Sequence, residues 1–85
     1  MYQIVYYYRE TIGSEVIERE DRSEGFRLRR NALHYLLEIV QIDYRENGYG
    51  TEQIVGGINC YKSEYAGNGR RKKIEITIKV EKVGQ

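Results

Sequence analysis

The chain has 85 residues, enough for a single small domain spanning 1–85 and too few for a deep, dry active-site cavity. Its 14 Lys and Arg nearly balance 13 Asp and Glu, so a net charge of +1 points neither to nucleic acid nor to an anionic membrane. Cys60 is the only cysteine, which excludes an internal disulfide, and no apolar run is long enough for a membrane-spanning helix.

Tyr2–Arg9 is rich in β-branched and aromatic residues and reads as a strand, not as a signal peptide, so a cytoplasmic location is expected. Its heavier face, Tyr2, Ile4, Tyr6 and Tyr8, is expected to point to the core. Thr11–Ser14 is a turn, and Glu15–Arg22 returns as a second, polar edge strand. Asp21-Arg22-Ser23-Glu24 fits a capping box. The helical stripe that follows is Phe26, Arg30, Leu33, Leu37, Val40 and Tyr44, widened by Ala32, Leu36 and Ile39. Phe26–Arg29 alternates, so an extended lead-in with Asn31 as N-cap is the other reading. Leu33–Ile42 is the firmest helical stretch, and Asn47-Gly48 with Gly50 ends it.

Glu52–Tyr65 reads as a strand with Gly56-Gly57 inside, where paired glycines suggest a bulge or a close backbone approach. Ala66–Gly69 is a hairpin turn. Lys72–Val83 alternates cleanly, with Ile74, Ile76, Ile78 and Val80 on one face and Lys73, Glu75, Thr77 and Lys79 on the other. The expected fold is α+β: an antiparallel sheet of three to four strands, β-(β)-α-β-β, with one helix packed across one face.

No catalytic constellation is visible, and an enzyme is not expected. His34 and Glu38 stand at helical i, i+4 spacing, but with no third ligand a surface ion pair is the better reading than a metal site. Cys60 shares a face with Ile54 and Ile58 and reads as a small core residue, not a nucleophile. Gly48-Tyr49-Gly50 and Gly67-Asn68-Gly69 match no phosphate loop. Neither metal nor cofactor is expected.

The aromatic choice carries the functional signal. Nine tyrosines stand against one phenylalanine and no tryptophan. Tyrosine is favoured where one end of a ring is apolar and the other wet, as at interfaces. The second signal is Arg70-Arg71-Lys72-Lys73 beside a turn, either a phosphate-contacting cluster or solvated charge guarding an apolar strand. If the isoleucines face the helix, then Tyr7, Arg9, Tyr61, Tyr65, Arg71 and Lys73 face outward. The candidate partner-binding residues are therefore Tyr7, Arg9, Tyr61, Tyr65, Arg70, Arg71, Lys72 and Lys73. Glu10–Glu24 is acidic and Lys62–Lys82 basic, so the chain is expected to be dipolar, which would favour orienting a partner or forming a homo-oligomer.

In size and style the chain resembles the small proteins that phages and mobile elements use to block host factors, including anti-CRISPR proteins. That likeness rests on no particular residue. It implies a small inhibitor or adaptor of a larger host protein, and a protein partner is the favoured expectation. Direct binding of DNA or RNA through the tyrosine-bearing sheet and the basic turn is the alternative.

Overall fold

The computed structural model describes residues 1–84. In chain order it contains β1 (Tyr2–Ile12), β2 (Glu15–Arg22), α1 (Arg29–Ile39), β3 (Gly50–Ile54), β4 (Gly57–Gly67) and β5 (Arg70–Lys82). The strands form one antiparallel sheet in the order β2-β1-β5-β4-β3, and α1 packs over β1 and β5. The α+β class and the single helix agree with the sequence reading, but the sheet has five strands where three to four were expected.

The fifth strand comes from a division of Glu52–Tyr65, and the optional strand Glu15–Arg22 is formed as well. Glu15–Arg22 is a complete edge strand whose residues are all exposed. It pairs with β1 from Ile12↔Glu15 to Val5↔Arg22, and its charges protect an otherwise open edge. Glu52–Tyr65 is two strands, not one. Gly56 takes a φ of +79° and, with Val55, reverses the chain so that Ile54 pairs with Gly57. No Asn or Asp marks this turn, so the reversal hides inside an apolar run. Gly57 does make the close approach expected of the glycine pair, because a Cβ there would collide with the carbonyl oxygen of Ile78. Asn68 and Gly69 close the other hairpin with φ of +53° and +73°, the twist that two-residue hairpin turns favour.

The helix starts later than the capping-box reading placed it. Asp21 and Arg22 still belong to β2. The Ser23 hydroxyl accepts the Ile4 N–H at 2.9 Å and so serves the strand. Phe26 and Tyr2 exchange backbone hydrogen bonds of 2.6 and 2.7 Å, making the lead-in extended. The N-cap is Leu28, not Asn31, and no side chain caps the helix.

The buried row is Ala32, Leu36 and Val40, so the stripe centred on Leu33 and Leu37 is corrected by a rotation towards what had been its margin. Ala32 is small and lets the helix lie close to the sheet. Leu33 is half-buried and Leu37 stays 56% exposed. After α1 the chain widens into a π-turn over Val40–Tyr44, tightens over Arg45–Asn47, and ends at Gly48 with a φ of +86°. The wide turn brings Tyr44 back against the core and leaves Ile42 outside.

Ile74, Ile76 and Ile78 are buried with Ile4, Ile58 and Cys60 beneath this row, and Val80 is half-buried beside them. The alternation in β5 set this face. Burial pushes the Cys60 thiol up to about 11, as suits an inert core residue. His34 and Glu38 meet at 3.3 Å on the exposed helix surface. No helix is long and apolar enough to cross a membrane among the described residues.

The sheet outruns the helix. The 13 residues of β5 span roughly 43 Å, whereas the whole helical run over 29–47 spans roughly 28 Å. The end bearing the Gly13-Ser14 and Asn68-Gly69 turns projects beyond α1. On its helix side, ion pairs stand among the remaining isoleucines Ile12 and Ile17: Lys72 Nζ lies 2.8 Å from Glu10, and Lys62 Nζ lies 3.3 Å from Glu64.

Candidate functional site

Strand alternation sorts the candidate residues between two faces. Tyr7 and Arg9 of β1, Tyr61 and Tyr65 of β4, and Arg71 and Lys73 of β5 lie on the open face, away from α1. Arg70 and Lys72 lie on the helix side, so the basic run is split across the sheet and does not form one cluster. The Lys72 ammonium is bound by Glu10, a hydrogen bond that raises its pKa. The Arg70 guanidinium reaches the β1–β2 turn beside Gly13.

The open face is not uniformly cationic. Glu18, Glu20, Glu52, Glu75 and Glu81 share it with Arg9, Arg22, Arg71, Lys73 and Lys79. The acidic β2 also lies in the same sheet as the basic β5, with only β1 between them. The charge asymmetry of the sequence is thus largely folded onto itself, through contacts such as Arg22–Glu81 at 3.7 Å.

Two regions of this face differ. Around Tyr7 the polar groups satisfy one another. The Tyr7 hydroxyl donates to Glu81 Oε2 at 2.6 Å, which raises the phenol pKa, and Arg22 also bridges to Glu20 at 2.9 Å. Arg9 sits 3.9 Å from Glu18. Towards the β4–β5 turn the face is open. Tyr65 is 71% exposed and stands directly opposite Arg71, while Ser63 stands opposite Lys73. Neither Arg71 nor Lys73 has an ion-pair partner among the described residues. A shallow depression of about 300 Å³ runs between Tyr61 and Lys73, with Glu75 on its rim.

Both rings also have local structural work. The Tyr61 ring, 46% exposed, lies over Gly50 on the neighbouring edge strand, where any Cβ would strike it. An aromatic ring across a strand glycine restores packing that the glycine lacks. The Tyr65 hydroxyl accepts the Gly69 N–H at 3.1 Å and braces the turn.

Most tyrosines are not at this site. Tyr2, Tyr6, Tyr8, Tyr44 and Tyr49 are half-buried around the core margin. Tyr44 and Tyr49 meet edge to face with centroids 5.2 Å apart, and the Arg19 guanidinium lies 4.2 Å above the Tyr8 ring. Burial pushes the Tyr44 phenol up to about 12. A narrow helix on a wide sheet leaves a margin that is apolar below and wet above, and tyrosine fills it. The tyrosine count is therefore chiefly a consequence of the architecture; the exposed rings are Tyr35 on the helix and Tyr61 and Tyr65 on the open face of the sheet. No protein-family model, curated protein or solved structure matches the chain.

Proposed function

We propose that this protein is a non-enzymatic binding module that docks on a larger protein, as a small inhibitor or adaptor, through Tyr61, Tyr65, Arg71 and Lys73. One observation carries the reading: among the described residues, two exposed rings stand beside two cations without ion-pair partners on a single hairpin, while around Tyr7 the ring, the arginines and the acids pair with one another. Rings on strands give contact area at low rotamer cost, and flanking cations steer the encounter and set its salt dependence.

Nucleic-acid binding is the weaker reading. Arg70 and Lys72 lie on the other face, and Glu75 stands opposite Tyr61. Two phosphate contacts on a single strand would give a log–log salt slope of only about −1.4. Affinity capture from source-cell extract, with and without nuclease, separates the two. The expected result is a protein partner that survives nuclease and is lost with Tyr65→Ala. A partner that vanishes on nuclease treatment, together with a gel shift on RNA or DNA at about 50 mM salt, would replace the protein reading.

A further inference from the structure

We propose that the cleft between α1 and β3 is a second recognition site, and that it takes a short peptide segment whose aliphatic side chains are flanked by carboxylates. The site lies on the helix side of the sheet, away from the Tyr61–Tyr65 surface, and does not depend on that reading. Because α1 packs over β1 and β5, the helix-side flank of β3 is left uncovered. A cleft of about 490 Å³ remains between them, a size that accommodates side chains of a bound segment.

Leu33, Leu36 and Leu37 form the helix wall of this cleft, with Ile58 below and Thr51 and Gln53 opposite. Leu37 is 56% exposed although it belongs to the apolar side of the helix, and Val55, on the β3–β4 turn beside the cleft, is 96% exposed. Such apolar surface is costly in water and favours a covering group.

Charge selects the occupant. Arg29 and Arg45 both line the cleft, and no Asp or Glu is among its described lining residues. Arg45 donates only to neutral groups, Thr51 Oγ1 at 3.2 Å and Gln41 Oε1 at 3.5 Å. Arg29 has no ion-pair partner among the described residues. Arg9, Arg19 and Arg22 on the sheet each stand beside a carboxylate, whereas among the described residues the guanidinium groups at the cleft, like those of Arg27, Arg30, Arg70 and Arg71, do not. A guanidinium fork is built to take a carboxylate in two parallel hydrogen bonds. Sixteen residues of helical chain separate the two arginines, a distance of roughly 24 Å that about seven extended residues span. β3 is also the outermost strand, so half of its backbone groups are free to pair with an extended segment. A fatty-acid-like amphiphile would match the leucines but would use only one arginine.

The test is panning of a random heptapeptide phage library against the immobilised full chain. The expected result is enrichment of sequences with adjacent aliphatic residues bracketed by Asp or Glu. Binding of the enriched peptides should fall at least tenfold in Arg29→Gln/Arg45→Gln and in Leu37→Glu, and should be unchanged in Tyr65→Ala. Leu37 and Arg29 are exposed, so these variants are expected to keep the wild-type circular dichroism, and Leu37→Glu alone suffices if the arginine pair disturbs folding. Enrichment without acidic residues, no enrichment, or equal binding to Leu37→Glu would overturn the proposal. So would laurate shifting the amide resonances of Leu33 and Leu37 with no acidic peptide able to displace it.

Discussion

The helix-covered end of the sheet and the projecting end use the same strands but are held together differently. Under α1, β1 and β5 present Ile4, Ile76 and Ile78 to Leu36 and Val40, and all five are at most 5% exposed. Beyond α1, the helix-side positions of the same two strands carry Glu10 and Lys72, joined by an ion pair. The covered end gains its stability from apolar burial. The projecting end relies on backbone pairing, two tight turns and exposed or half-exposed charge pairs, each of which contributes little. A partner surface fits the second kind of structure, because its side chains can change without emptying a core.

The sharpest way to break this contrast is in the core. Leu36→Ala should cost about 2–5 kcal/mol by cavity formation, while Leu37→Ala, one residue away on the exposed side, should stay within about 0.5 kcal/mol. Thermal or urea unfolding of the two variants checks this, and equal costs would show that the helix lies on the other row. Alkaline pH probes the same burial. Cys60 and Tyr44 are raised by burial from 9.0 to about 11 and from 10.0 to about 12. Above the unfolded values the unfolded chain releases protons that the folded chain retains, so stability should be full below pH 9 and fall between about pH 9 and 12. A melting temperature flat across that window would contradict the burial of both groups. The smallest effect is expected at the projecting end. Lys72→Gln should lower the melting temperature least of the three changes, and the loss should shrink as salt is added.

How much of this was legible follows from which signals are local. The β5 alternation named its buried face outright, and Gly48 marked the helix end. Asn68-Gly69 specified its hairpin because both residues tolerate positive φ. The Val55-Gly56 reversal was not legible, since a turn with one positive φ needs only a glycine, and glycines inside strands have other uses. The choice between Leu36 and Leu37 was not legible either, because a stripe that wide leaves the helix free to rotate until the sheet selects a row. At the candidate site, strand parity gave the outward positions of Tyr61, Tyr65, Arg71 and Lys73. It also put Arg70 and Lys72 on the opposite face, which reading the basic run as one cluster overlooked. Glu10 became a neighbour of that run only through strand register, which composition does not contain. The Leu37–Arg45 cleft was missed because it depends on where the helix sits across the sheet.

The proposed division of roles gives the projecting hairpin to binding and the covered end to folding. It is tested most directly by one variant, Tyr65→Ala/Arg71→Gln, measured for both melting temperature and partner capture. The expected result is a melting temperature within a few degrees of wild type, with partner capture lost. Unfolding of the variant, or wild-type capture by a folded variant, would contradict it.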